Sequence, residues 1–350
     1  MKRRISKVVS IGSVKIGSDK PIAIQSMLNV DSSDIEGNVE SARKLKDIGC
    51  DILRVAVPNK ESVKLVYEIK KKVNIPLVAD IHYDYRLALA CVDAGIDKIR
   101  INPGNIGNEE YIKKIVSVCI KKNIPIRVGV NSGSLERDIL AKYKKITSQA
   151  LCESALRNIR ILEKFDFNNI VISIKASDVL TSVKAYEMLA DMCKYPLHLG
   201  ITEAGTGNLA IVKTSIGIGS LLLKGIGDTI RVSLTGSPES EIKCAKDILK
   251  SLGLIKNYGI EIISCPTCGR TNVNLIEIVK NVRERLSNCK KNIKIAIMGC
   301  GVNGPGEAKN ADIGIAAGKE CGVLFKNGKI LRKLAEKELV NALVSEVEKM

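Results

Sequence analysis

Cys265 and Cys268 stand two residues apart in SCPTCGR, and Cys300 follows in IMGCGVNGPGEA. A C-x-x-C pair can hold zinc, hold an iron–sulfur cluster or cycle as a dithiol. A structural zinc site asks for four ligands, commonly two such knuckles, and this region offers one knuckle and a single further well-placed cysteine. A dithiol oxidoreductase places its pair in a thioredoxin-like pattern, which is absent. Three thiolates suit three irons of a [4Fe–4S] cluster, leaving the fourth iron a weaker ligand or an open position. The glycines around Cys300 (Gly299, Gly301, Gly304 and Gly306) let the backbone come close to a cluster and aim N–H groups at sulfide. Glu307 ends that turn and could offer an oxygen, although on spacing alone it reads more readily as a capping or surface acid. The other cysteines, including Cys289 in SNCKKN and Cys321 in KECGV, read as bystanders.

A second set of residues is cationic. Arg54, Arg100, Arg127, Lys175 and Arg231 fall toward the ends of short apolar runs. The same run ends carry Asp80, His82, Asn102, Asn131, His198, Thr202, Glu203 and Ser233. Side chains alternate along a strand, so Arg100 shares a face with Asn102, Asp80 with His82, Arg127 with Asn131 and Arg231 with Ser233. Asp80 and Glu203 are the evident carboxylates on these runs. Burying several unpaired charges costs several kcal/mol each, so an anionic ligand is the economical partner. Arginine favours bidentate contact with phosphate oxygens. The set therefore points to a multiply anionic small substrate, a diphosphate. The two histidines read either as packing residues or as catalytic ones, and they lack a third ligand for zinc.

The elements that must position these residues recur along the chain. Strands are expected at 21–27, 52–57, 76–82, 98–104, 125–132, 169–177, 196–204 and 229–236, with amphipathic helices between most of them. Eight β-α units within about 250 residues imply parallel strands and a closed (β/α)8 TIM barrel, whose active site lies at the C-terminal strand ends. The longest gap, 133–168, has room for an extra helix. Past residue 258 the pattern changes to a small α/β domain. Strands are expected at EIISCP and IKIAIMG, a helix at NLIEIVKNVRERLSN, and a terminal helix over 330–349. The expected domains are a substrate-binding barrel over 1–257 and a cluster domain over 258–350.

Composition narrows the function classes. Lys and Arg outnumber Asp and Glu by 55 to 38, for a net charge of +17. With no Trp and three Phe, stacking platforms for bases are poorly supplied, so no nucleic-acid partner is expected. Neither a signal peptide nor a membrane-length apolar run is evident, so no membrane partner is expected. Eleven scattered cysteines do not form a compact disulfide scaffold. A reducing cytoplasm is the expected setting. Two competing readings are a pterin- or phosphate-binding transferase barrel with a structural zinc tail, and a nonenzymatic basic RNA-binding protein.

Taken together, RINPGNIG, RVGVNSGSLE, SIKASD, PLHLGITEAG, GIGDTIRVSL, CPTCGR and GCGVNGPGEA resemble the bacterial 4-hydroxy-3-methylbut-2-enyl diphosphate synthases of the non-mevalonate isoprenoid pathway, over essentially the whole length. The resemblance implies reductive opening of 2-C-methyl-D-erythritol 2,4-cyclodiphosphate by two electrons, with a [4Fe–4S] cluster. It implies Cys265, Cys268, Cys300 and Glu307 as cluster ligands. It implies Arg54, Arg100, Arg127, Lys175 and Arg231 as diphosphate-binding cations, with Asn102, Asn131, His198 and Ser233 near the substrate and Asn303 on the cluster side. Glu203 is expected to transfer a proton or to stabilise developing positive charge, assisted by Asp80 and His82. Flavodoxin or ferredoxin is the implied electron donor. The last barrel helix should run back to the bottom of the barrel, so the cluster domain departs from the wrong end of its own barrel. A head-to-tail homodimer, each cluster domain capping the partner's barrel, resolves this.

Overall fold

Short runs of β-branched residues, opened by Pro or Asp and separated by amphipathic helices, build the first part of the chain. The computed structural model describes residues 2–255, 259–287, 289, 291–300 and 311–350. These fall into two compact units, Met1–Leu254 and Ile255–Met350.

The first unit begins with an antiparallel hairpin, β1 (Val9–Ile11) and β2 (Val14–Ile16). The barrel strands follow: β3 (Ala23–Met27), β4 (Ile52–Ala56), β5 (Leu77–Asp80), β6 (Lys98–Ile101), β7 (Ile126–Asn131), β8 (Ile170–Lys175), β9 (His198–Leu199) and β10 (Thr229–Ile230). Neighbours pair in parallel from β3 through β8, and β10 lies between β3 and β9. A parallel bridge from Ile172 to Leu197 closes the ring between β8 and β9. This is the expected (β/α)8 barrel. Around it run α1 (Ile35–Asp47), α2 (Glu61–Lys72), α3 (Tyr85–Asp93), the short α4 (Pro103–Ile106), α5 (Glu109–Lys122), α6 (Arg137–Tyr143), α7 (Ser148–Glu163), α8 (Val179–Met192), α9 (Gly207–Leu223) and α10 (Pro238–Ser251). The extra helix expected in the longest gap is α6.

The first unit differs from the sequence expectation in two places. The hairpin was not expected; its Val9, Ile11 and Ile16 pack on Ala23, Ile52, Val78 and Val171, a closed apolar plug among the early residues of the strands. The seventh and eighth strands, expected over nine and eight residues, are two residues each as paired elements. The chain beyond them carries on with isolated contacts, such as Arg231 N–H to Leu199 C=O at 2.9 Å.

One device sets the strand heights. An aspartate just ahead of a strand accepts the backbone N–H that opens its neighbour. Asp51 takes Ile24 N–H, Asp97 takes Leu77 N–H and Asp228 takes Leu197 N–H, at 2.7, 2.7 and 2.8 Å. Asp312 repeats this in the second unit, accepting from Lys294 N–H at 2.7 Å. Each bond satisfies a donor that the ladder leaves unpaired and pins the register of two strands.

The second unit is a five-stranded sheet in sequential order: β11 (Glu261–Ser264), β12 (Lys294–Met298), β13 (Ile313–Ala317), β14 (Cys321–Lys326) and β15 (Lys329–Ala335). The first three pair in parallel and the last three antiparallel. Helices α11 (Leu275–Arg285) and α12 (Glu336–Lys349) cover one face, packing Leu275, Val282, Leu339 and Leu343 on Ile295, Ile297, Ile313 and Ile315. The expected terminal helix began too early: residues 329–335 are strand. Asn327 and Gly328, both at positive φ, form the two-residue turn of a hairpin. Lys329, Arg332 and Lys333 then blunt an edge strand against further pairing.

Candidate active site

The barrel brings a concentrated set of cations to the C-terminal ends of its strands. Arg54 of β4 and Arg100 of β6 both bind Asp80 of β5, Arg100 at 3.1 Å. His82 Nε2 lies 3.2 Å from the same carboxylate. Burial opposes ionisation of Asp80, but the Arg54 charge, the His82 hydrogen bond and Arg100 outweigh it and hold the carboxyl far below the usual range. Asp80 is thus a fixed anion that organises two guanidiniums. Gly129 leaves room for this: a Cβ there would fall on the Arg100 guanidinium, whose Nη2 instead donates to Gly129 C=O at 3.2 Å. Gly200 does the same for Lys175, where a Cβ would stand 2.8 Å from Nζ.

Other cations are left short of counter-charge. Arg127 is buried, with Nε and Nη1 unpartnered. Arg231 has a distant contact, 3.9 Å, with Glu241 of α10. Among the described residues neither Arg127 nor Lys175 has a carboxylate within ion-pair distance. Burial, reinforced by neighbouring guanidiniums, pushes the Lys175 pKa well below the ordinary lysine value.

The remaining expected residues fall into distinct places. Asn102 caps α4, its side chain accepting from Gly104 N–H at 3.2 Å. Asn131 ends β7, and Ser233 is half-buried beyond β10. His82 is exposed beyond the end of β5. His198 differs from expectation: it opens β9 rather than lying near its end, because pairing there covers just two residues. It is fully buried, Nδ1 sits 2.7 Å from Thr229 Oγ1, and Nε2 has no partner. Burial and the surrounding cations keep its imidazole neutral. Glu203 is exposed in the loop after β9 and holds a left-handed backbone at φ 54. A non-glycine side chain in that conformation is a strained arrangement of the kind found at functional sites.

In the second unit, Cys265 follows β11 and Cys300 follows β12, adjacent parallel strands. Gly299 N–H donates to Cys265 Sγ at 3.3 Å. Asn272 N–H donates to Gly299 C=O at 3.3 Å, tying the segment after CPTC to the end of β12. Cys268 is exposed, and hydrogen bonds from the Arg270 backbone and side chain, with Thr271, lower its thiol pKa. By contrast, burial pushes Cys50, Cys91, Cys119 and Cys152 up to about 12, which makes them inert. Cys289 packs on the helical core and Cys321 opens β14, so neither joins the strand-end cysteines. Among the described residues no three His, Cys, Asp or Glu side chains converge into a metal-binding group. Asn303 and Glu307 lie outside the described residues. The donor set nevertheless has the chemistry of an iron–sulfur site: thiols on adjacent strand ends, one with a lowered pKa and one accepting a backbone N–H.

Comparison with known proteins agrees with this two-part arrangement. A family described as the GcpE TIM-barrel domain matches residues 6–246, and the GcpE protein C-terminal domain matches residues 261–349. The chain belongs to the GcpE family. It is 57% identical to a 4-hydroxy-3-methylbut-2-en-1-yl diphosphate synthase (flavodoxin) of Caldicellulosiruptor saccharolyticus, over 98% of each chain. It is 54% identical to the protein of that name from Caldanaerobacter subterraneus subsp. tengcongensis, over 99% of this chain and 98% of that one. Among solved structures, a dihydropteroate synthase from Stenotrophomonas maltophilia matches with TM-score 0.53 at 13% identity, covering 71% of this chain and 97% of that one. That likeness shows the barrel fold alone.

Within this GcpE chain, the sequence reading missed two charged residues. Glu241 sits on helix α10, away from the strand ends in sequence, yet contacts Ser26 and Arg231. Lys98 stands two residues before Arg100, and the alternation that paired Arg100 with Asn102 also puts Lys98 on that face. No helix of the described chain is long and apolar enough to cross a membrane.

Proposed function

We propose that this GcpE-family chain converts 2-C-methyl-D-erythritol 2,4-cyclodiphosphate to (E)-4-hydroxy-3-methylbut-2-enyl diphosphate, by two-electron reductive ring opening and loss of water. The observation that carries this reading is the excess of buried cations over carboxylates at the barrel's strand ends, in a chain more than half identical to enzymes bearing that name. A substrate with two phosphates supplies the charge that Arg127, Lys175 and Arg231 lack.

Arg54 and Arg100, held by Asp80, give the site two guanidiniums that need no reorganisation when the diphosphate arrives. Arg127, Lys175 and Arg231 close around the second phosphate. Asn102, Asn131, His198 and Ser233 line the substrate, with neutral His198 offering an imidazole rather than another charge. Asp80 is a positioning residue, because three partners already occupy its carboxylate. His82, exposed beside it, is free to meet the substrate. Glu203 is the proton-transfer group, and its strained loop holds the carboxylate where charge develops. Asn303 contacts the substrate from the cluster side. Cys265, Cys268, Cys300 and Glu307 hold a [4Fe–4S] cluster, which supplies the two electrons one at a time.

The donor is flavodoxin or ferredoxin; the name carried by the relatives supports flavodoxin. The working unit is a head-to-tail homodimer in which each cluster domain, over 258–350, caps the partner's barrel, over 1–257. In a (β/α)8 barrel the last helix runs back from the mouth, and in sequence β11 begins at Glu261, soon after α10 ends at Ser251. The setting is the cytoplasm. An anaerobic assay with the cyclic diphosphate, a reduced donor and reconstituted protein tests the reading. The linear enyl diphosphate should form. A correctly loaded enzyme that leaves the cyclic diphosphate unchanged would overturn it.

A further inference from the structure

Lys98 is a buried basic side chain outside the set of residues assigned to the diphosphate. It lies on β6 two residues before Arg100, on the same face, and is completely buried. Its Nζ lies 3.4 Å from Gln25 Oε1 of β3. Strands β4 and β5 separate β3 from β6, so this contact spans the barrel interior rather than a strand pair. No carboxylate lies within ion-pair distance of Lys98 among the described residues. The charged or titratable groups that face it are Arg54 of β4, Arg127 of β7 and His198 of β9, with Arg100 on its own strand. Nearer the mouth stand Lys175, Arg231 and Asp80, and the carboxylate of Asp80 is already taken by Arg54, Arg100 and His82.

An ammonium group in that position would be stripped of water, offered one weak amide acceptor and surrounded by guanidiniums. Burial first, and then the Arg127 and Arg54 charges, drive its pKa well below the ordinary lysine value. A dianionic ligand above it offsets the guanidinium charges that oppose a proton on Nζ. Resting on the diphosphate reading, we propose that Lys98 forms the floor of the anion site, a neutral amine in the empty barrel that takes one proton from solvent onto Nζ as the diphosphate enters.

The bound state holds the extra proton, so affinity is greatest below the free-state pKa of Lys98. It falls as pH rises from that value toward the higher value set by the ligand. Within this window one coupled proton lowers affinity by about tenfold per pH unit. Lys175 is also buried and depressed, and it contributes in the same sense. The diagnostic quantity is therefore a difference between variants, not the total uptake.

The test is calorimetric titration of the full-length anaerobic protein with the cyclic diphosphate, in buffers of different ionisation enthalpy. Relative to wild type, Lys98→Met should take up about one proton fewer per bound ligand and show a shallower fall of affinity with pH. Gln25→Glu retains the lysine but places a carboxylate beside it, charging Lys98 before the ligand arrives. Its uptake should fall by the same amount. Undiminished uptake in both variants would overturn the role of Lys98 while leaving the diphosphate reading intact. Uptake lost in His198→Asn but kept in Lys98→Met would assign the proton to the imidazole and likewise overturn it. Failure of the wild-type protein to bind the cyclic diphosphate would strike the underlying reading as well.

Discussion

The mouth of the barrel and the cysteine-bearing end of the second unit solve opposite problems. In the barrel the reactive groups are buried basic side chains: Arg100, Arg127 and Lys175 sit within strands, with glycines cleared around Arg100 and Lys175. In the second unit they are thiols at loop ends, Cys268 exposed and Cys265 and Cys300 half-buried. The barrel's guanidiniums bear their electrostatic cost before the ligand arrives and then need no reorganisation around an anion. The cysteine loops carry little such cost, and backbone hydrogen bonds hold them: Gly299 N–H donates to Cys265 Sγ and Cys268 N–H to Thr271 Oγ1. The contrast predicts a barrel that recognises substrate without the cluster, and a cluster end that matters for turnover and hardly at all for recognition.

The sharpest way to break that comparison is Cys300→Ser. Iron content and turnover should fall to background, while calorimetric affinity for the cyclic diphosphate changes by less than about threefold, a difference under 1 kcal/mol. A parallel collapse of affinity would mean that the two regions are not separable. Glu203→Gln comes next. Turnover should drop roughly 10²- to 10⁴-fold, the range for loss of a general acid, with the visible spectrum unchanged. Turnover equal to wild type would remove Glu203 from the chemistry.

Arg127→Met tests the cost carried by the barrel. Removing a buried guanidinium whose Nε and Nη1 lack partners should raise the thermal midpoint of the unliganded protein while weakening diphosphate binding by about tenfold or more, the loss of one charged contact. A lowered midpoint would show that Arg127 has a structural partner. The smallest effect concerns Asp80 and acid. Its carboxyl is held below the usual range, so its stabilisation is present above the ordinary carboxylate pKa of about 3.9 and is lost as pH falls toward the lower folded value. Asp80→Asn should therefore flatten the acid limb of the stability profile below about pH 4, read by circular dichroism. An unchanged limb would mean that Arg54 and Arg100 do not stabilise the Asp80 anion.

The barrel was legible because its strands are apolar, β-branched and regularly spaced, and because each candidate cation belongs to such a run. The shortness of β9 and β10 was not legible: hydrophobicity continues through ITEA and VSL, but pairing stops where the barrel opens. His198 was consequently expected near a strand end, whereas it opens the paired segment of β9. In the second unit, LFKNGKIL carried a clear hairpin signal in Asn327-Gly328, yet the amphipathic run after it masked the strand. The aspartates that pin the register, at 51, 97, 228 and 312, look like ordinary surface acids in sequence; their partners are backbone N–H groups on other strands. Glu241 was missed for a related reason, since its contacts depend on helix α10 packing over β3 rather than on any local pattern.

The most direct test of the account is anaerobic analysis of iron and acid-labile sulfide, with optical spectra before and after dithionite. About four irons and four sulfides per chain, with a visible absorption that bleaches on reduction, are the expected result. One zinc and no sulfide would contradict it, making Cys265, Cys268 and Cys300 a structural site and leaving the barrel's diphosphate without a source of electrons.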